Sequence, residues 1–109
     1  MEKITVVVPN YNGMRYLEDC FRSLEAQKNA PDYRVVIVDN GSTDGSLEYI
    51  RDYTDHYSGS AKEYALIALP ENTGFCHAVN VGIGDSEAPY VVLLNNDTKV
   101  APDFLRALY

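Results

Sequence analysis

Residues 35–46 read VVIVDNGSTDGS: four β-branched apolar residues, then an acid and a carboxamide, then a run of Gly, Ser, Thr and Asp. An apolar run with no polar residue in alternate positions suits a strand covered on both faces, and such strands belong to parallel sheets. Three further segments share the design. Ile4-Thr5-Val6-Val7-Val8, Tyr64-Ala65-Leu66-Ile67-Ala68-Leu69 and Tyr90-Val91-Val92-Leu93-Leu94 are short, nearly continuous in apolar character, and followed by polar residues. All four are expected as buried parallel strands.

Between them the period changes. Leu17, Cys20, Phe21 and Leu24 recur at i, i+3, i+4 and i+7, which predicts an amphipathic helix over about residues 14–27. A second helix is expected from Ser46 to about Tyr57, with Leu47 and Ile50 inward and Asp44 as its cap. Phe75 to Val81 reads as a third, closed by Gly82 or Gly84. Pro102-Asp103 starts a fourth, whose Phe104, Leu105 and Leu108 would face the core. Tyr49, Tyr53 and Tyr57 fall at near-helical spacing and read as packing residues. Ser58-Gly59-Ser60-Ala61-Lys62 reads as a flexible connector. The order βαβαβαβα predicts an α/β fold, a Rossmann-like parallel sheet with right-handed crossovers and helices on both faces.

Composition narrows the partners. With 109 residues and 46% hydrophobic content the chain suits one domain with one core. Nine basic against sixteen acidic residues give a formal charge of −7, which argues against nucleic acid or an anionic membrane as partner. An anionic ligand would need a cation or backbone donors. Cys20 and Cys76 form no disulfide framework, and the apolar "ITVVV" near the start is too short for a signal peptide or a membrane span, so a reducing, cytoplasmic setting is expected.

In open parallel α/β sheets ligands bind beyond the carboxyl ends of the strands. The four stretches that follow the strands are Pro9-Asn10-Tyr11-Asn12-Gly13, Asp39 to Gly45, Pro70-Glu71-Asn72-Thr73-Gly74 and Asn95-Asn96-Asp97-Thr98. Turn chemistry accounts for any one of them. Four on the same sheet edge, with Asp39 and Asn95 directly at strand ends, point to a site. A Walker loop is absent, because "GSTDGS" lacks Gly-Lys-Ser/Thr. "GIGDS" at 82–86 follows a helix and lacks the third glycine of a dinucleotide fingerprint, so it reads as a helix terminus. His56 and His77 have no metal-ligand spacing. Cys20 reads as core, and Cys76 and His77 as residues beside the site edge.

The motifs "VVVPNYNG" at 6–13, "VVIVDNGSTDGS" at 35–46, "ENTGFCHAVNVGI" at 71–83 and "VVLLNNDTKVAPDFL" at 91–105 resemble, in order and spacing, the N-terminal motifs of family-two glycosyltransferases of the GT-A fold. The resemblance covers nearly the whole chain. It implies an inverting transferase that takes a sugar from a nucleoside diphosphate, UDP or dTDP, with a divalent metal, Mg2+ or Mn2+, on the diphosphate. By this resemblance Pro9, Tyr11 and Asn12 line the nucleoside pocket, and Asp39 hydrogen-bonds the pyrimidine. A carboxylate there can accept from the N3–H of uracil or thymine, which cytosine lacks. Asn72 and Gly74 match the loop that closes over the nucleotide, and Asn80 and Gly82 the helix after it.

Asn95, Asn96 and Asp97 occupy the Asp-x-Asp position, and here the sequence departs from the usual pattern, since the first acid is Asn95. Asp97 is then left as the metal ligand, completed by the substrate's phosphates, because magnesium is commonly held by one or two carboxylates plus phosphates and water. Asn95 would hydrogen-bond ribose or donor sugar without a charge, with Asn96 beside it. Family members continue into an acceptor-binding half that carries the general base, whereas this sequence stops at Tyr109. The expectation is a single donor domain over 1–109, truncated before that half, with an unknown acceptor and little activity alone. Uncovered apolar surface predicts self-association, through a sheet edge or the last helix. Two readings compete: a non-catalytic nucleotide-binding or assembly module with a vestigial site, and a Rossmann-type oxidoreductase domain. The second is disfavoured by the missing glycine fingerprint after the first strand.

Overall fold

The computed structural model describes residues 2–109. Two strands without an exposed side organise it. Strand β1 (Ile4–Asn10) is buried at every residue, and β2 (Tyr33–Asn40) at every residue but Arg34. They pair in parallel from Ile4 opposite Tyr33 to Asn10 opposite Asp39. Strand β3 (Tyr64–Leu69) adds to the outer edge of β2 and β4 (Tyr90–Leu93) to the outer edge of β1, giving the all-parallel order β3-β2-β1-β4.

Alternation along the inner strands divides the core into two layers. Ile4, Val6, Val8, Val35 and Ile37 face helices α1 (Met14–Glu25), α2 (Ser46–Asp55) and α4 (Phe104–Leu108), meeting Leu17, Phe21, Ile50 and Leu105. Val7, Val36 and Val38 face helix α3 (Phe75–Gly84) and meet Ala78 and, at its margin, Val81. The sheet is therefore covered on both faces. At Gly82 a β-carbon would strike the Val7 side chain. Glycine is needed there so that α3 can lie close on β1, and the helix runs past it to Gly84, with Asp85 at its end.

Several expectations need correction. Only β1 and β2 are interior. As an outer strand, β4 has no helix over Val91 and Leu93, which stand 38% and 46% exposed, and Tyr90 is 57% exposed. Leu94, one residue beyond β4, is buried. Leu108 faces solvent, which leaves Leu105 as the buried anchor of α4 and Phe104 half-buried. The 58–62 stretch is pinned. Ser60 donates its N–H to Glu25 Oε2 at 3.1 Å, and Ala61, buried, donates its N–H to the Tyr57 hydroxyl at 2.8 Å. Asp44 does not cap α2 from the N-cap position, which Gly45 holds at φ 92°, but accepts from the Ser46 N–H one residue further on at 2.9 Å.

Tyr49, Tyr53 and Tyr57 pack as the spacing predicted. Phe21 lies 4.7 Å from the Tyr53 ring and Tyr57 4.5 Å from the Tyr64 ring, centroid to centroid. Burial, with the charge of Glu25 behind it, pushes the Tyr53 phenol up to about 12 and the Tyr64 phenol higher still. The Tyr64 hydroxyl is buried with no hydrogen-bond partner. Cys20, fully buried, is pushed up to about 12 by burial and then by the charge of Asp97. Cys76 is exposed. Among the described residues no helix is long and apolar enough to cross a membrane.

These raised groups fix the sign of an alkaline response. An unfolded chain ionises its thiol near 9 and its phenols near 10, whereas the folded chain holds those protons to about 12. Stability from them is complete below pH 9 and is lost as pH rises toward 12. Melting followed by circular dichroism should show the midpoint falling steadily over that interval, and Cys20→Ala should flatten its lower part. A midpoint constant from pH 8 to 11 would contradict this.

Candidate functional site

The chain passes from β1 to β2 and β3 on one side, then returns to place β4 on the other side of β1. The order reverses between β1 and β4, and a crevice opens there beyond the strand ends. A cavity of about 370 Å³ occupies it. Pro9 and Asn10 line it from the end of β1 and Tyr11 from the loop that follows, and Asn95, Asn96 and Asp97 line it from the loop after β4. Asn40, Asn72, Phe75 and Ala78 close the far wall. The Tyr11 and Phe75 rings are 49% and 54% exposed, which leaves both free to stack on a planar or sugar ring.

Beneath the cavity runs a buried row of hydrogen bonds. Asn10 and Asp39 are paired across the ladder, and both are sealed from water. Asn10 donates through Nδ2 to Asp39 Oδ1 at 2.9 Å and to Ser46 Oγ at 2.9 Å. Asp39 also accepts from Ser42 Oγ at 2.7 Å and from the Ser42 N–H at 3.0 Å. On the other side Asn10 Oδ1 accepts from Asn96 Nδ2 at 2.6 Å. A buried carboxylate needs donors around it, and the turn after β2 folds back to supply them.

Three clamps hold the surrounding loops and helix starts. Asn12, at φ 51°, takes the left-handed conformation that Asn tolerates best among non-glycine residues. Its N–H donates to Ser42 Oγ at 2.9 Å and its Oδ1 accepts from the Thr43 N–H at 2.8 Å, tying the loops after β1 and β2. Asn40 donates to Asn72 Oδ1 and to the Gly74 carbonyl, both at 3.2 Å, and accepts from the Thr73 N–H at 3.0 Å. Asp44 joins the starts of α1 and α2 by accepting from the Met14 and Ser46 N–H groups. Burial alone would raise its carboxyl, but those hydrogen bonds outweigh burial and hold it below the usual range.

The expected site residues thus separate. Pro9, Tyr11, Asn72, Asn95, Asn96 and Asp97 are brought together on the cavity. Asp39 lies sealed below it, and Asn12 and Gly74 stand in the clamps. Asn10, Asn40 and Phe75 were not singled out from the sequence. The first two are strand-terminal carboxamides, a signal present but equally compatible with turn chemistry.

Among the described residues Asp97 is the only charged one on the lining, and no Lys or Arg joins it. Among the described residues no group of three or more His, Cys, Asp or Glu could hold a metal ion. One carboxylate with neighbouring carboxamide oxygens is a hard-oxygen donor set, which fits Mg2+ or Mn2+ provided that phosphate oxygens supply the rest. Asp39→Ala would leave the Asn10 amide and the Ser42 N–H without their acceptor. It should lower unfolding stability by about 1–3 kcal/mol, measured by urea denaturation, the range for leaving a buried hydrogen-bonding group unpaired. A loss under 1 kcal/mol would mean that the row is not a structural necessity.

The family model described as "Glycosyl transferase family 2" matches residues 5–109. The teichoic acid poly(glycerol phosphate) polymerase of Staphylococcus epidermidis is 34% identical over 101 residues, 93% of this chain and 14% of that protein. The putative teichuronic acid biosynthesis glycosyltransferase TuaG of Bacillus subtilis is 32% identical over 102 residues, 94% of this chain and 38% of that protein. The chain thus spans well under half the length of these relatives. Among solved structures, S. aureus TarS 1-349 in complex with UDP-GlcNAc superposes with a TM-score of 0.83 at 27% identity, over 97% of this chain and 30% of that one. The mannosyltransferase PcManGT from Pyrobaculum calidifontis, in complex with GDP-Man and Mn2+, gives 0.77 at 28% identity, over 88% and 28%. With its parallel sheet, its strand-end cavity and a match that runs from the first strand to the last residue, the chain belongs to glycosyl transferase family 2.

Proposed function

We propose that these residues form the donor-binding part of an inverting glycosyltransferase that takes a UDP- or dTDP-sugar with the help of a divalent cation. One observation carries this reading: in a member of this family, the loops after three parallel strands and the start of α3 converge on one cavity whose single charged group is Asp97. A diphosphate entering a cavity with one carboxylate and no Lys or Arg needs a cation to offset repulsion. Asp97, with a carboxamide oxygen beside it, would hold that cation. When bound, such a cation supplies neutralisation of the leaving diphosphate.

The other residues take roles that their positions allow. Tyr11 and Phe75 offer rings at the mouth for base or sugar. Asn95 offers a neutral hydrogen-bonding group to ribose or donor sugar. Asp39 Oδ2 carries one protein donor, the Ser42 N–H, and so has capacity for a pyrimidine N3–H once the Ser42 turn is displaced. Asn72, Gly74 and Asn12 hold the loops that would close over the nucleotide. No second carboxylate and no histidine line the cavity to act as general base, so donor binding without efficient transfer is the reading for these 109 residues alone.

A thermal-shift series with UDP, dTDP and GDP, each with and without Mn2+, tests this. UDP or dTDP should stabilise the chain, and more so with manganese. Asp97→Ala should remove the manganese-dependent part, whereas Asn95→Ala should only weaken binding. No response to any nucleotide would defeat the proposal, and equal losses from both variants would defeat the division of roles.

The reading extends to association with a second copy. Strand β4 carries no charge, proline or bulge from Tyr90 to Leu93, and Tyr90 stacks edge-on with the exposed Tyr109 at 5.7 Å. Such an unguarded edge can pair with its own copy across a two-fold axis. Light scattering should show dimer growing with concentration, and Val91→Lys should restore monomer. A clean monomer at millimolar concentration excludes it.

A further inference from the structure

The polar row beneath the cavity has a direction, and the direction has a consequence for the cation loop. Asp39 can only accept, so the end of the Asn10 carboxamide that faces it must be the Nδ2 group. Ser46 Oγ takes the second proton of that group at 2.9 Å. The Oδ1 of Asn10 is thereby turned toward β4. It can only accept, so Asn96 must meet it with Nδ2, as observed at 2.6 Å. What remains of Asn96 is its Oδ1, to which no group among the described residues donates, on a residue of the cavity lining next to Asp97.

Ladder geometry makes the row possible. Asn10 pairs with Asp39 in the β1–β2 register, and Ile4 pairs with Tyr90 in the β1–β4 register. The ladder continues past β4, with the Leu94 N–H donating to the Val7 carbonyl at 2.9 Å. Beyond Leu94 the chain turns: Asn96 and Asp97 are the corner of a turn closed by the Thr98 N–H on the Asn95 carbonyl at 3.1 Å, and that turn brings Asn96 against Asn10. Gly13 completes the fit, since a β-carbon there would collide with both Asn96 Nδ2 and Asn10 Oδ1.

We infer that Asn10 is a positioning residue: it transmits the fixed polarity of Asp39 to Asn96, so that Asn96 presents its carboxamide oxygen beside Asp97 as a neutral donor to a divalent cation. This rests on the reading of the cavity as a nucleotide-sugar site. It extends that reading by giving the one-carboxylate loop a second oxygen whose orientation is set two strands away.

Two measurements separate the inference from the reading beneath it. In the ligand-free chain, hydrogen exchange at the Thr98 N–H, which donates to the Asn95 carbonyl at 3.1 Å, reports how firmly the loop is held. Asn10→Ser and Asn96→Ala should each speed that exchange about tenfold, the equivalent of one lost hydrogen bond, while amides of β2 stay protected. An unchanged rate in both overturns the relay whether or not any nucleotide binds. Calorimetric titration of UDP with and without Mn2+ tests the donor role. The gain in affinity that manganese gives should fall about tenfold in Asn96→Ala and in Asn10→Ser, and no further in the double variant. Additive losses, or an intact manganese gain in Asn10→Ser, overturn the inference. If the parent chain itself fails to bind UDP, the nucleotide-sugar reading and the cation role fall together, and the exchange rates still decide the relay.

Discussion

The site edge depends on how one buried acid is satisfied. Asp39 lies at the end of an interior strand with no access to water, and a carboxylate there is tolerated only inside a shell of donors. Two neighbours supply three of them: Asn10 across the ladder, and the hydroxyl and N–H of Ser42 from its own turn. Meeting that demand fixes the turn after β2, and Ser42 in turn receives the Asn12 N–H. The loops after β1 and β2 are therefore set by the same requirement, and the β4 loop joins through Asn96.

The sheet that carries this row is stabilised unevenly. Its inner strands are sealed by α1 and α2 on one face and α3 on the other, and full burial of a Val or Ile side chain contributes about 1.5–3 kcal/mol each. The outer strand β4 lacks that cover over Val91 and Leu93. The cavity therefore has one wall at the end of a fully buried strand and the other beyond the least buried strand, and a polar tie between them matters more than it would between two interior strands.

Much of this was legible in the chain. Continuous apolar runs marked the strands, and the i, i+3, i+4 spacing of Leu17, Cys20, Phe21 and Leu24 marked α1, because periodicity follows directly from helix and strand geometry. The ligand edge was legible for the same reason: parallel strands deliver all their carboxyl ends to one side. Which strands are interior was not. An apolar run such as Val91 to Leu94 signals burial without saying which neighbours provide it, and β4 turned out to be an edge. The role of Asn10 was hidden too. Its partners lie 29, 36 and 86 residues away, and only the tertiary fold brings Asp39 across the ladder, Ser46 from the start of α2 and Asn96 from the turn after β4 to it. Asp39 was conspicuous in the sequence as an acid at a strand end, yet its burial follows from the turn that closes over it, which no local pattern records.

Electrostatics give the last step. A cavity lined mainly by carboxamides and two aromatic rings solvates a neutral sugar or base through hydrogen bonds and stacking, and adds little net field of its own. One carboxylate in such a setting repels a diphosphate and attracts a cation. A second carboxylate at position 95 would increase both effects and favour holding the cation before the nucleotide arrives. With Asn95 in its place, neither ion alone is well served, but the pair is nearly neutral and each supplies what the other lacks. On the proposed reading the loop would receive nucleotide and cation together, and a neutral oxygen from Asn96 would complete the coordination without adding a second negative charge.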